Sequence, residues 1–245
     1  MENFDPMIAY DVVTLPSQGI HYENKKKSLK VAYLTAADEN ILTSPNLVQN
    51  DMVVEELLRR KILDKDVDID SLAEEDRQAI LLFLRNTAFG PEYSVRLEDP
   101  KTGKLFEKTL VLDELKITQP DNKPTDEGTF SVELPKTGSK VKLKPLSFGE
   151  ILEIDRIIEN YPQGRVAPKV TLKLQRQIVE INGSQDKGEI AKFIEQMPIM
   201  DSKFIRKFMD DNEPRLNMNR VVTTPSGDRL TVNVGFGVEF FRPFF

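Results

Sequence analysis

Carboxylates are the side chains best able to do chemistry in this sequence, since it has no cysteine and a single histidine. Without cysteine it has no thiolate nucleophile, no disulfide framework and no thiolate zinc site. Neighbouring carboxylates could share a proton or a metal ion, but adjacent residues on a helix diverge by about 100°. We therefore interpret the three acidic pairs as solvated helix surfaces or ends. These pairs are Glu55–Glu56, Glu74–Glu75 and Asp210–Asp211.

Motifs for nucleophilic catalysis or phosphate binding are missing from the sequence. A Ser-His-Asp arrangement would need His21, which lies in a segment without apolar periodicity, and a surface histidine is the simpler interpretation. The glycines Gly235 and Gly237 lack the third glycine and the following helix of a phosphate-binding loop. Leu134–Gly138 spells the LPKTG sorting signal, but no apolar segment and basic tail follow it, so it predicts a hairpin turn. The sequence therefore predicts no catalytic residue, no metal ligand and no cofactor.

Composition and charge narrow the class of protein. The 245 residues carry 34 basic and 40 acidic side chains, a net charge of −6, and 39% of them are hydrophobic. This balance is typical of a globular protein, and the negative charge provides no general attraction for nucleic acid. The longest apolar run, Ile80–Leu84, is far shorter than the roughly 20 residues of a membrane helix. We expect a soluble intracellular protein, or one assembled into a particle inside a cell, with no membrane or small-molecule partner.

Hydrophobic periodicity predicts an α+β fold, with two helical segments separated by a β-hairpin module and a second ribbon-like hairpin near the end. Thr35 and Ser147 are expected to cap helices, and Asp70 or Ser71 to open another. One further helix is predicted from a stripe that ends at Asn182-Gly183. The stripe consists of Val170, Leu174, Ile178 and Ile181. The predicted segments are an N-terminal arm (1–30), a helical segment (31–91), the β-hairpin module (92–146), a second helical segment (147–213) and a C-terminal hairpin with an aromatic tail (214–245).

Three stretches of alternating apolar and polar residues predict β-hairpins. Their turns lie at Asp99–Gly103, Pro135–Ser139 and Thr224–Asp228. The sequence leaves open whether the hairpin module and the C-terminal hairpin pack together.

The end of the chain is unusually aromatic, because five of its 14 phenylalanines lie in the last ten residues. Each packed phenylalanine buries on the order of 150–250 Å², so such a segment is not expected to stay in water. Either it folds back onto its own hairpin or it docks into a neighbouring protein, and the sequence leaves both open. The five residues are Phe236, Phe240, Phe241, Phe244 and Phe245.

Three features together resemble a known phage family. They are the segment LPSQGIHY at Leu15–Tyr22, the order of helices and hairpins, and the ending FGVEFFRP at Phe236–Pro243. The chain resembles the T-even-type phage baseplate protein family, whose best-known member is a baseplate hub assembly protein. The resemblance implies a structural or assembly protein of a contractile tail, whose partners are other baseplate and tail proteins. It also implies a location in the host cytoplasm during assembly, or in the baseplate of the virion, and no catalytic residues.

One departure from that family concerns metal binding. Its members often carry Cys-x-x-Cys knuckles at the hairpin tips, like a zinc ribbon. In this sequence the equivalent tips are Asp99–Gly103 and Thr224–Asp228. A Pro- and Gly-containing turn can close a hairpin through backbone geometry alone, so we expect ribbons without metal.

The candidate partner contacts come from both ends of the chain. Intramolecular packing is the alternative for the aromatic set, and an ordered loop with a turn at Gly19 is the alternative for the N-terminal set. If the tail is an anchor, truncation after Gly237 should leave a folded chain that no longer joins its complex. The candidates are Phe240, Phe241, Arg242, Phe244 and Phe245, followed by Leu15, Pro16, Gly19 and Tyr22.

Two other functions are weighed against the baseplate role. A nucleic-acid or transcription-associated protein would use the basic run Lys25–Lys27 and the lysines of the hairpins, although a solvated loop is the simpler interpretation of that run. An enzyme with a carboxylate-only metal site is the weakest alternative, because the acidic pairs do not converge.

Overall fold

The computed structural model describes residues 8–49, 52–113, 117–118, 122–213, 215–235 and 238–241. Helices and small antiparallel sheets alternate along the chain, which confirms the predicted α+β class. The helices are α1 (Ala36–Thr43), α2 (Pro45–Gln49), α3 (Val53–Lys61), α4 (Glu74–Phe89), α5 (Phe148–Glu159), α6 (Lys169–Gln177), α7 (Lys187–Gln196) and α8 (Ile199–Asn212). The strands are β1 (Tyr10–Thr14), β2 (Ser28–Ala32), β3 (Glu92–Glu98), β4 (Leu105–Val111), β5 (Ile117–Thr118), β6 (Phe130–Glu133), β7 (Lys140–Leu143), β8 (Ile178–Ile181), β9 (Arg215–Leu216), β10 (Asn219–Thr223) and β11 (Arg229–Asn233). Short 3₁₀ helices span Ile69–Ser71 and Val238–Phe241.

The described part of the predicted arm, residues 8–30, forms a hairpin that packs on the core, whereas residues 1–7 lie outside the described residues. Strands β1 and β2 form an antiparallel hairpin in which Tyr10 pairs with Ala32. Leu15 and Tyr22 in the connection are buried, so apolar periodicity was a poor guide to a segment that packs through single residues.

The first helices begin where local capping chemistry places them. Thr35 is the N-cap residue of α1, as expected, and its backbone N–H and hydroxyl donate to the Asp38 carboxylate at 2.7 and 2.8 Å. The prediction for the long helix was early by a few residues, because Asp68 caps the short 3₁₀ turn at Ile69–Ser71 and α4 begins only at Glu74. It ends as expected at Gly90, whose φ is +79°.

All three predicted hairpins are present. They are β3–β4, β6–β7 and β10–β11, each antiparallel and in continuous register. Alternating side chains on the inner faces of β3–β4 and β10–β11 pack against one core, so these two hairpins do lie together.

The predicted helix through Ile178 and Ile181 is wrong in its second half. Helix α6 ends at Gln177, and Ile178–Ile181 continues as strand β8, which pairs with β7. The turn at Asn182-Gly183, with both φ values positive, therefore ends a strand and not a helix. Ser147 caps α5 through a capping box, as predicted.

Two hydrophobic clusters hold the described residues together. The first joins the N-terminal hairpin, helices α1, α3 and α4, hairpins β3–β4 and β10–β11, and the C-terminal 3₁₀ turn. The second lies between the sheet β6–β7–β8 and helices α6, α7 and α8. Within the described residues, no helix is both long enough and apolar enough to cross a membrane.

Candidate functional site

The segment Leu15–Tyr22 is fastened to helix α4 by one buried carboxylate. Asp76 accepts hydrogen bonds from the backbone N–H of Ser17 (2.9 Å), the hydroxyl of Ser17 (2.5 Å) and the hydroxyl of Tyr22 (2.5 Å). The Tyr22 oxygen in turn accepts from the N–H of Ala73 at 3.1 Å. Burial and the adjacent Asp76 carboxylate raise the pKa of Tyr22 well above its usual range, so the phenol stays protonated and donates.

Gly19 is required by the tight fold of this segment. Its φ is +76°, and a Cβ atom would lie 2.6 Å from the backbone carbonyl carbon of Lys25. His21 is half-buried and not on the open surface. It packs close to Gly128, because a Cβ atom built on that glycine would lie 2.9 Å from the Nδ1 atom of His21. Leu15, Pro16, Gly19 and Tyr22 thus form an ordered loop, with Pro16 half-buried and the other three buried.

The aromatic end of the chain turns inward as far as it is described. Phe240 and Phe241 are both 0% exposed. Their rings meet edge to face with centroids 5.4 Å apart, and Phe240 lies 5.7 Å from the ring of Tyr93. Side chains with no exposed surface are not accessible to a partner in this conformation. Phe240 and Phe241 therefore pack within the chain, which is the alternative given for them above. Arg242, Phe244 and Phe245 lie outside the described residues.

A buried arginine supports these rings. The Arg85 guanidinium lies 5.4 Å from the centre of the Tyr93 ring and donates to the carbonyl oxygens of Gly90 and Glu92. Burial lowers the pKa of Arg85 from its ordinary value. The contact links the end of α4 to β3 and, through Tyr93, to Phe240.

The tips of two hairpins are joined by Asp99. Its carboxylate accepts from the backbone N–H of Ser226 (3.0 Å) and from the hydroxyl of Ser226 (2.9 Å), while the N–H of Lys101 in its own turn donates at 2.9 Å. Burial would raise the pKa of Asp99, but these hydrogen bonds outweigh it and hold the pKa below its usual range. Each turn is also closed by its own backbone, as predicted, with Gly103 donating to Asp99 and Gly227 to Thr224.

A third carboxylate holds the LPKTG turn of the β6–β7 hairpin. Asp201 is fully buried in the first turn of α8. Its two oxygens accept from the backbone N–H groups of Lys136 (2.7 Å) and Thr137 (3.1 Å). The sorting-signal lookalike is therefore a hairpin turn, as expected.

A comparison with protein-family models identifies the family to which the chain belongs. A family model described as T4 bacteriophage base plate protein matches residues 7–241, nearly the whole chain. The chain belongs to this family. No curated protein and no solved structure matches it.

Membership of the baseplate family confirms the resemblance drawn from Leu15–Tyr22 and the C-terminal ending. A T4-type baseplate protein has a structural role in the phage tail, which implies contacts with other tail or baseplate proteins. In the two segments that carried the resemblance, Leu15, Ser17 and Tyr22 of the first and Phe240 and Phe241 of the second are buried, so these residues contribute to the core of this baseplate protein.

The hairpin tips of this baseplate protein do not fit a zinc ion. Thiolates and imidazoles are the usual zinc ligands, and the chain has no cysteine. The carboxylates at the joined tips include Asp99, whose oxygens already accept three hydrogen bonds, and Asp228, which accepts from the Ser226 hydroxyl at 3.3 Å. These hydrogen bonds hold the two hairpin tips together, and we assign no metal ion to them.

Two lysines of the basic run bind groups within the baseplate protein. In the basic run, Lys26 bonds Asp64 and Asp66, both at 2.6 Å. Lys25 donates to the carbonyl oxygens of Ile20 and Asp126. In the described residues, no group of three or more His, Asp or Glu side chains could hold a metal ion.

The acidic pairs also have separate partners. Glu55 pairs with Arg59 and Arg156 around a cleft of about 540 Å³ between α3 and α5. In the other two pairs, Glu74 bonds Arg77 and Asp211 bonds Lys207 at 2.7 Å.

Sequence reasoning missed the three buried aspartates that hold turns. Asp76 and Asp201 each lie in the first turn of a helix, where an acidic residue is ordinary. It also missed the adjacent apolar residues Ile199 and Met200, which are 78% and 60% exposed. The sequence pattern of α8 alone could not show that the core lies on the face of the helix opposite these two residues.

Proposed function

We propose that this chain is a non-enzymatic structural or assembly subunit of a contractile-tail baseplate, active in forming the baseplate hub. It acts through contacts with other baseplate and tail proteins, either in the host cytoplasm during assembly or as a resident of the virion baseplate. The family match over residues 7–241 is the observation that carries this proposal.

The internal contacts of the chain support a structural role. Asp76, Asp99 and Asp201 each fix a turn by hydrogen bonds, which gives a rigid surface without movable loops at these points. A rigid surface loses little conformational entropy when it is covered by a partner. Arg242 and Phe244–Phe245 follow the buried aromatic pair, and we keep them as candidate contacts.

The proposal can be tested by supplying the chain in measured amounts to a phage that lacks it. We expect the number of complete baseplates to rise in proportion to the amount of chain, because each assembly consumes a fixed number of copies. An enzyme, or an assembly factor that is released and reused, would act far below stoichiometric amounts, so complete assembly from a few copies would exclude a resident subunit. If the chain were then found in no assembly intermediate, the proposal would fail. A tag on the chain then separates a resident subunit, found in finished tails, from an assembly factor found only in intermediates.

A further inference from the structure

Strand β1 lies at the edge of its sheet, which among the described residues contains β1 and β2 only. Lys30 of β2 stands opposite Val12. Its backbone turns away from β1, because its N–H donates to the Asp64 carboxylate and its carbonyl oxygen accepts from the N–H of Leu63. Val12 and Lys30 therefore form a non-hydrogen-bonded pair, and the N–H and C=O of Val12 point away from β2.

The outer edge of β1, defined by the backbone groups of Val12 and Thr14, is unprotected. Leu15 donates to the carbonyl oxygen of Lys27, so alternate residues bond to β2 and Thr14 also points outward. No group in the described ranges bonds to either backbone on that side. Proteins commonly protect such an edge with proline, lysine or a bulge. Strand β1 (YDVVT) contains neither residue and pairs with β2 in continuous register.

Apolar side chains stand in a row beside this edge. Alternate residues of a strand share a face, and Val12, at the centre of β1, is 60% exposed. On the other face, Val13 packs against the first hydrophobic cluster. Apolar residues on both faces are typical of a strand that is covered on both sides. The exposed row consists of Ile8, Tyr10 and Val12.

One charge beside the outer edge has no counter-ion in the part of the chain that the structure describes. Asp11 is exposed and accepts a hydrogen bond from the Tyr33 hydroxyl at 2.6 Å, but it forms no ion pair there. The Asp11 backbone bonds to β2. A residue added beside Asp11 would therefore form a non-hydrogen-bonded pair with it, in which the side chains lie closest.

The basic groups around Asp11 are engaged elsewhere or point away from it. Helix α4, which contacts β1, carries no charged residue between positions 77 and 85. Lys61 is paired with buried Asp38. Lys30 lies on the opposite face of the hairpin, and Lys27 lies beyond the other end of β1. A cation beside Asp11 would therefore come from a partner.

We propose that the outer edge of β1 accepts an extended segment of another baseplate protein, which adds a third strand to the β1–β2 hairpin. Main-chain hydrogen bonds to Val12 and Thr14 give the affinity, as in other cases of strand addition. The segment carries apolar residues on the face of the exposed row and a lysine or arginine beside Asp11. This inference rests on the proposed baseplate function and names the surface and the chemistry of its partner.

A second copy of this chain fits the edge less well. Full antiparallel overlap of two β1 strands is centred at Val12 and places the two Asp11 carboxylates diagonally, about 7–8 Å apart. Like charges without a cation oppose such pairing. We therefore expect the isolated chain to be a monomer in light scattering, and a dimer that Val12→Pro dissociates would overturn the proposal.

The first test removes one outward N–H from the full chain. Val12→Pro should lower incorporation into baseplates by about tenfold or more, because proline cannot donate a hydrogen bond to an added strand. Val12→Thr keeps the N–H and the β-branched shape, so it should preserve incorporation within about twofold.

Val221→Pro is the matched control. Val221 is 65% exposed and is the third of the five residues of β10, as Val12 is in β1. Its N–H also points outward, because the bond from Val234 to Met218 shows that the even-numbered residues of β10 face β11. Val221→Pro should leave incorporation unchanged. Both proline variants should have similar urea midpoints, since proline is tolerated at an outer edge.

Amide hydrogen exchange tests whether the edge is open before assembly. In the isolated chain, the Val12 amide should exchange at least about tenfold faster than the Val13 amide, which bonds to β2. In assembled baseplates, exchange of the peptide that covers residues 8–14 should slow by about tenfold or more. A Val12 amide that is already protected in the isolated monomer would overturn the proposal, because the chain would then cover its own edge.

The last test concerns the charge of the partner. Asp11→Asn keeps an acceptor for the Tyr33 hydroxyl but removes the charge, so it should lower incorporation several-fold, whereas Asp11→Glu should preserve it. A benzophenone amino acid at position 8 should crosslink to a baseplate peptide that contains Lys or Arg within a few residues. Crosslinks only to this chain, to nucleic acid or to no partner in assembled baseplates would contradict the proposed strand addition.

The outcomes separate the two proposals. If the unsubstituted chain never enters baseplates or their intermediates, the proposed function fails, and the strand addition fails with it. If the chain enters and Val12→Pro enters equally well, or if Val221→Pro is equally damaging, only the strand addition is wrong.

Discussion

At the scale of single residues, buried carboxylates fix the turns of this molecule. Thr35 and Ser147 could be predicted as caps because their partners lie three residues away. Asp76, Asp99 and Asp201 could not, because their partners lie 59, 127 and 65 residues away in sequence. Only the folded chain brings such groups together, and a sequence shows each of them as an ordinary surface acid.

The Asp76→Asn variant tests the contact between the N-terminal loop and α4. An amide has one acceptor oxygen, so it can replace either Oδ1, which accepts from the Ser17 N–H, or Oδ2, which accepts from the hydroxyls of Ser17 and Tyr22, but not both. We expect a loss of about 2–3 kcal/mol in the free energy of unfolding, because a buried donor loses its acceptor. Urea unfolding measures it, and the exposed Asp210→Asn should change stability by no more than about 0.5 kcal/mol. Equal stability of both variants would show that the Asp76 contacts are dispensable.

Acid sensitivity should arise in part from Asp38. Burial alone would raise the pKa of this carboxyl, but hydrogen bonds from the Lys61 ammonium and from Thr35 outweigh it and lower the pKa below its ordinary value of 3.8. A carboxylate with a lower pKa in the folded state stabilises the fold above the unfolded value, and that stability is lost as pH falls through the lowered value.

The Asp38→Asn variant should therefore be less stable than the parent at pH 7, by about 3 kcal/mol because buried Lys61 loses its counter-ion. Its stability should also depend less on pH between pH 5 and pH 2 than that of the parent. Urea unfolding across this range measures both effects. The exposed Glu195→Gln serves as control, and an Asp38→Asn profile parallel to the parent profile would contradict the assignment.

At the scale of elements, local pattern predicted the hairpins but not every strand. Each hairpin has two alternating runs and a turn within about 20 residues, so the pattern itself contains the pairing. Strand β8 has only four residues, IVEI, and its partner β7 lies far earlier in the chain. Four residues after a helix, three of them apolar, fit either structure, and pairing with β7 decides the outcome.

Replacing Gly19 should lower stability for two separate physical reasons. Gly19→Ala meets both a positive φ and a backbone contact at 2.6 Å, whereas Gly138→Ala meets a positive φ in open space. We expect Gly138→Ala to cost about 1–2 kcal/mol, the ordinary penalty of the left-handed region, and Gly19→Ala to cost clearly more. Thermal or urea unfolding measures both, and equal losses would mean that the loop yields around residue 19.

At the scale of the whole molecule, Phe240 and Phe241 of the aromatic ending are part of the main core. The expectation that truncation after Gly237 leaves a folded chain does not fit this packing, because the cut removes Phe240 and Phe241 from their buried positions. The sequence could indicate that these aromatic side chains are buried. Whether they are buried within the chain or by a partner depends on Tyr93 and Arg85, which lie far away in sequence.

Two truncations separate folding from docking. A chain that ends at Gly237 should lose at least about 5 kcal/mol of stability, since each buried phenylalanine contributes about 3–5 kcal/mol and the two adjacent effects need not add fully. A chain that ends at Phe241 should keep the stability of the parent, which circular dichroism during urea unfolding would show. If the chain that ends at Phe241 is as stable as the parent but does not join baseplates, the contacts with partner proteins lie in residues 242–245. If the chain that ends at Gly237 stays as stable as the parent, the buried rings have no structural importance.

The arrangement of the two hydrophobic clusters has a consequence for synthesis on the ribosome. The second cluster uses residues between Phe130 and Met209, a continuous stretch that can assemble as soon as it has emerged. The first cluster combines Leu15 with Phe241, so its earliest residues stay incompletely covered until the ribosome has translated the chain as far as Phe241. The nascent protein is therefore most exposed to proteases and chaperones in its N-terminal half, and that exposure ends only when the last aromatic residues arrive.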